Sequence, residues 1–154
     1  MSGMMITIDK MTGTVNVDGY QIKPSTKLAE LPESFMTGQE MTVQVIREKV
    51  PCTFSSFIEA TDSLETKVNL RFERDKLVSV FIHLTDLTKS YKEAADFYSS
   101  TPERKQMHLD WLQSKLGKGQ DTYTSYQWGK VGVAQDRSDN VHIFIHNQNN
   151  IWAL

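Results

Sequence analysis

Residues 106–117, QMHLDWLQSKLG, and residues 123–146, YTSYQWGKVGVAQDRSDNVHIFIH, decide the fold. The first stretch completes a helix that starts with Thr101 as N-cap and Pro102 at the first helical position. It ends at Gly117, where a left-handed residue suits the C-terminus. The second stretch alternates apolar and polar residues at a period of two, with turns at Gly129 and at Asp136 to Asn140. It predicts three strands in a C-terminal β-meander.

Upstream, MTVQVIRE (41–48), CTFSSFIEA (52–60), TKVNLRFE (66–73) and KLVSVFIHL (76–84) are further strand candidates, the last two joined by a polar Arg74-Asp75 turn. Val68, Leu70 and Phe72 point one way, as do Val78, Val80 and Ile82, while Lys67, Asn69, Arg71 and Glu73 point the other; one face is core and one largely wet. Nearer the start, Ile6 and Ile8, then Val15 and Val17, flank a turn at Gly13, and Asp18-Gly19 is a two-residue hairpin signal before Tyr20 and Ile22. Ser25 or Thr26 is placed to cap a short helical turn through Leu28 and Leu31, which Pro32 stops. Over 87–98, Tyr91, Ala94, Ala95 and Tyr98 share a face at helical spacing and predict a short helix. The expected architecture is α+β, a single domain over 1–154. A mainly antiparallel sheet with an N-terminal β-meander is packed by one or two helices (about 87–98 and 102–116) and followed by a C-terminal β-meander.

A chain of 154 residues buries about 68–70% of its unfolded surface, enough for a core without staples. The formal net charge of −2, with Lys and Arg dispersed, offers no extended basic footprint and argues against nucleic acid. Cys52 is the only cysteine, so neither a disulfide framework within the chain nor a thiolate-built zinc site is available, and a reducing cytoplasm fits. The start, MSGMMITIDKMTG, has no cationic segment followed by an apolar run, and no stretch nears the ~20 apolar residues of a membrane span.

Motif readings fail on geometry. His142 and His146 have the H-x3-H spacing of a helical metal pair, but on a strand the rings stand roughly 13 Å apart and do not share an ion. Asp136, Ser138 and Asn140 alternate like the opening of a calcium loop, yet Val141 stands where Gly is needed and Asn147 where a bidentate Glu is needed. A turn capped by its own side chains is expected instead. Gly117-Lys118-Gly119 follows a helix, whereas phosphate cradles use amides at a helix N-terminus. Cys52 opens an apolar strand, where a buried, inert thiol is expected unless folding brings His83, His108, His142 or His146 beside it as a base. No cofactor or catalytic set is expected.

Two surfaces remain. Leu109, Leu112 and Leu116 form the core stripe of the 102–116 helix, and Met107 and Trp111 project about 160° from its centre. Either the helix is sandwiched between the sheet and the 87–99 segment, or Met107 and Trp111 belong to a protein interface, where both types are enriched. Phe81 and His83, with His142, Phe144 and His146, lie opposite the aliphatic faces of their strands. They form a recognition surface, or the N-terminal meander covers them as a second layer. These seven residues are the candidate partner-binding set.

The segments HLDWLQSKLG (108–117) and YQWGKVGVAQDRSDNVHIFIH (126–146) resemble a pattern of small bacterial α+β proteins: a helix with a His-x-x-Trp-Leu core, a Trp-Gly strand, an Asp-Arg turn and an Ile-rich strand. The opening ITIDKMTGTVNVDGYQIKPSTKLAEL (6–31) is similar to the N-terminal meander of such proteins, and together the segments cover over a third of the chain. The resemblance implies an immunity-type or accessory protein without catalytic residues to carry over. The expected function is a non-enzymatic protein-binding module whose partner is a toxin or a second copy. A small-molecule-binding domain or hydrolase with a histidine base, and a structural oligomer subunit, are the alternatives.

Overall fold

The computed structural model describes residues 6–117 and 123–153. Three short strands, β1 (Ile6–Ile8), β2 (Val15–Val17) and β3 (Tyr20–Ile22), form an antiparallel meander. Asp18 and Gly19 both take positive φ, 51° and 89°, between paired Val17 and Tyr20, the tight turn whose twist matches its strands. Thr26 does not cap the 3-10 turn at Leu28–Glu30. Its hydroxyl accepts from the Lys23 amide at 2.9 Å and closes the preceding turn instead.

Then follow β4 (Met36–Thr37), β5 (Met41–Val45), β6 (Glu48–Ala60), β7 (Leu64–Glu73) and β8 (Lys76–Asp86). After two helices come β9 (Tyr123–Tyr126), β10 (Gly129–Gln135) and β11 (Val141–Asn147). These strands build one antiparallel sheet in the order β4-β6-β7-β8-β11-β10-β9, with β5 also on β6. The chain is therefore α+β with a mainly antiparallel sheet, an N-terminal meander and C-terminal strands. One strand expectation is corrected, because residues 41–48 break at Ile46-Arg47 to pair Val45 with Glu48. Ile46 continues the apolar pattern but is 78% exposed with φ 55°, so periodicity ran straight through a turn.

One sheet face carries Val68, Leu70 and Phe72 of β7, and Val80, Ile82 and Leu84 of β8, all buried. A register shift at Arg71/Phe72 sets Leu77 opposite Phe72 and Ser79 opposite Arg71, so Leu77 takes the place expected for Val78 beside Phe72. Ile6, Ile8, Val15, Val17 and Ile22 join the same buried cluster. The meander thus covers the aliphatic face, not the face of Phe81 and His83.

α1 (Ala94–Ser99) and α2 (Thr101–Leu116) succeed one another through Ser100. The expected 87–98 helix is shorter than its pattern. Tyr91, Ala94, Ala95 and Tyr98 are exposed, and half-buried Phe97 anchors the segment by stacking under the Arg104 guanidinium at 3.9 Å. Thr101 is the first helical residue rather than the cap, and its hydroxyl bonds Tyr98 O at 2.9 Å. α2 lies across β11 and β10. Its buried positions include His108, Leu112 and Leu116, with Leu109 half-buried at the margin. At about 100° per residue, a stripe centred near His108 brings Trp111 to about 60° from that residue, onto its flank rather than an opposite face.

Trp128 seats the meander on the sheet. Its Nε1 donates to Lys10 O at 2.8 Å, and its ring stacks on Tyr126 at 4.9 Å. Gly13 lies against that ring with φ +76°, and an added Cβ would fall 2.3 Å from it. Gly13→Ala should therefore lower unfolding free energy by about 1–3 kcal/mol through left-handed strain and overpacking. Urea titration followed by tryptophan fluorescence reads this, and an unchanged midpoint would show that the β1–β2 turn does not rest on Trp128.

Candidate functional site

On the face opposite the core, alternation brings Phe81 of β8 directly across from Phe144 of β11, and Ser79 across from His146. Phe81 meets His142 and His146 edge-on, with ring centroids at 5.5 and 6.0 Å, and Phe144 stacks on His146 at 4.8 Å. Gly132 of β10 lies opposite both Phe144 and Tyr123. With no side chain between them, those rings approach to 6.1 Å. Phe81, His142 and His146 are half-buried, Phe144 is buried by its neighbours, and Tyr123 is exposed. Lys67 and Arg71 on β7 and Lys130 on β10 flank this row through their pairing with β8 and β11.

A hydrogen-bonded chain holds one end of the row. Asn150 Nδ2 donates to Ser79 Oγ at 2.8 Å, and Ser79 Oγ lies 2.7 Å from His146 Nδ1. Asn150 Nδ2 also lies 3.2 Å from His146 Nδ1, and an amide N–H only donates, so Nδ1 accepts, from Asn150 and from the Ser79 hydroxyl, and the neutral ring carries its own proton on Nε2. Burial first, then the Arg71, His142 and Lys130 charges, hold the His146 pKa down to about 4. Ser79 is 1% exposed, so this Ser–His contact orients the imidazole rather than presenting a nucleophile. Cys52 is also fully buried, and its recorded polar neighbour is Arg71 Nη2 at 3.5 Å rather than a histidine. Arg71 pairs with Glu73 at 3.1 Å, and Trp152 Nε1 donates to Glu73 Oε1 at 3.0 Å, tucking the 3-10 turn Ile151–Ala153 onto β7.

At the other end the β8 and β11 strands part. The Leu84 amide donates to His108 Nε2 at 3.0 Å, and His108 Nδ1 donates to Arg104 O at 2.7 Å. This arrangement permits one tautomer, with the proton on Nδ1. Burial is the main cause that lowers the His108 pKa to about 4; the bond to Arg104 O opposes it, and His83, His142 and Arg104 add to it. His142 is lowered too, by burial first, with Asp136 opposing. His83 Nδ1 donates to Val141 O at 2.7 Å, and its ring lies 5.8 Å from that of His108.

Beyond this junction a cleft of about 450 Å³ opens between the end of β8, α2 and residues 89–97. His83, Tyr91, Phe97, Arg104 and Met107 line it. Of the seven predicted residues, five share the ring face, and Met107 meets that group only through His83. Trp111 lies apart, half-buried under Lys115 at 5.2 Å, beside a smaller cavity that Ile6, Leu64 and Thr66 also line. Sequence reasoning considered His108 only as a base for Cys52, missing its bonds to Leu84 N and Arg104 O, and missed Asn150 altogether. The position of His108 was legible, four residues before Leu112 and eight before Leu116 on the apolar stripe.

The other motifs resolve as turns. Asp136 Oδ1 accepts the Ser138 and Asn140 amides at 2.8 and 3.0 Å, the capped turn expected in place of a calcium loop. Lys118 and Gly119 lie outside the described residues, and Gly117 caps α2 with φ 92°. Among the described residues no set of three or more His, Cys, Asp or Glu is placed to hold a metal, and no helix is long and apolar enough to cross a membrane. Compared with known proteins, the chain matches no protein-family model, no curated protein and no solved structure.

Proposed function

We propose that this chain is a non-enzymatic binding module that recognises another protein through the ring face of its main sheet, in the manner of an immunity protein covering a toxin. The observation that carries the reading is the row Phe81, His142, Phe144 and His146 on the face opposite the core, flanked by Lys67, Arg71 and Lys130. Rigid aromatic anchors inside a charged rim are the composition of interface hot spots. Lys67 at the rim suits a partner that presents an apolar anchor with an acidic neighbour. The lone buried thiol is compatible with a cytoplasmic setting.

The test is co-expression with the products of the adjacent genes. One of them is expected to co-purify, and Phe81→Arg should weaken that complex by roughly a hundredfold while the fold persists. A complex indifferent to Phe81→Arg, or no complex with any neighbour, would overturn the reading. A stable dimer broken by the same substitution would assign the face to a second copy instead.

A further inference from the structure

The cleft beyond the β8–β11 junction adjoins the ring face only at His83, and its chemistry is specific. Arg104 is held there by four neutral acceptors: Nε donates to Ser100 Oγ at 2.9 Å, Nη1 to Asp139 O at 2.6 Å, and Nη2 to Phe97 O and Thr101 Oγ1, both at 3.0 Å. These bonds use four of its five N–H groups, and no carboxylate of the described residues pairs with the guanidinium. A half-buried, oriented cation that keeps one Nη1 N–H outside these bonds lines a cleft of about 450 Å³, a volume within the range of small-molecule sites.

The walls supply the rest. Tyr91, Phe97 and Met107 give apolar surface, with Tyr91 and Phe97 in edge contact at 5.5 Å. Lys89 adds a second cation at the rim. Of the two acids that line the cleft, Asp86 turns its carboxylate into its own loop, accepting Thr88 N and Oγ1 at 2.9 and 2.5 Å, and Glu103 is exposed on the first turn of α2. The bond from His83 to Val141 O occupies Nδ1, so Nε2 is the ring nitrogen left to meet a ligand.

We infer that this cleft binds a small organic carboxylate with an aromatic body. The carboxylate takes the remaining Arg104 donor and Lys89, the ring lies among Tyr91, Phe97 and Met107, and a ligand N–H or O–H meets His83 Nε2. The same chemistry belongs to a free acid or to a peptide ending in an aromatic residue.

Titration calorimetry and thermal denaturation with phenylacetate, phenylpropionate and indoleacetate, their primary amides, and a tetrapeptide ending in Phe test the assignment. The acids or the peptide should bind and raise Tm in a dose-dependent way, and the amides should bind roughly tenfold more weakly or worse. Stronger binding by the peptide identifies a chain terminus as the natural occupant, and stronger binding by the free acids a metabolite. Met107→Glu should abolish binding, Lys89→Ala should weaken it severalfold, and Phe81→Arg should leave it intact; circular dichroism confirms that each variant is folded. Absence of binding by every acid and the peptide, equal binding of the amides, or indifference to Met107→Glu in the folded protein overturns the inference.

Discussion

Replacing Gly129 by Ala should lower the free energy of unfolding by about 3 kcal/mol or more, because two penalties of about 1–3 kcal/mol each act at one atom. Gly129 opens β10 with φ 153°, and a Cβ built there would sit 1.9 Å from the His146 carbonyl oxygen and 3.1 Å from Asn147 Cα. The obstacle is backbone of the paired strand, so no rotamer change relieves it. Because Gly129 pairs with Asn147 and with Tyr126, the displacement would enter both ladders and shift His146. Urea denaturation should show the midpoint moved far down with similar cooperativity. A loss below about 1 kcal/mol would mean that the β9–β10 turn does not close as described.

The second large effect is acid destabilisation through His108. An ordinary histidine, as in the unfolded chain, titrates at 6.5, and His108 in the folded protein at about 4. Between those values the unfolded chain binds more protons than the native one. Stability conferred by the neutral ring is therefore present above pH 6.5 and is lost as pH falls toward 4. The change from pH 7 to pH 5 is about 2 kcal/mol from this residue alone, against a total of about 5–15 kcal/mol for a typical domain. Protonation would also set an N–H at Nε2 against the Leu84 N–H, turning a bond into a repulsion. His146 and His142 are depressed as well and steepen the same slope.

His108→Gln removes the titration while keeping a carbonyl that can accept from Leu84. Unfolding free energy measured at pH 7, 6 and 5 should fall for the wild type and fall less for the variant. Identical pH slopes for the two proteins would refute the assignment to His108. His108→Leu should instead be destabilised at every pH, by about 1–3 kcal/mol, because the buried Leu84 amide loses its acceptor.

Much of the fold was legible because strand and hairpin signals are local. The Asp18-Gly19 turn, the Arg74-Asp75 turn and the alternation of β7, β8 and β11 depend on residues adjacent in sequence. The errors arose where two local patterns coincide. Ile46 fits a strand period but sits exposed in a turn, and the helical face expected over 87–98 is left open because only Phe97 packs. Reading Leu109, Leu112 and Leu116 as the stripe of α2 ignored His108, since polarity alone does not reveal that a ring will find Leu84 N and Arg104 O.

By itself, the sequence determined the class α+β, the strand order along the chain, and the opposition of Phe81, His83, His142, Phe144 and His146 to the aliphatic face. Periodicity suffices for these, since a strand alternates whatever it packs against. Only the tertiary structure decided that the N-terminal meander covers the aliphatic side, that Phe81 faces Phe144, that Met107 and Trp111 are parted, and that Arg104 and His83 meet at one cleft. Those outcomes depend on which distant segments pair, a choice made by the burial of the whole chain rather than by any local stretch.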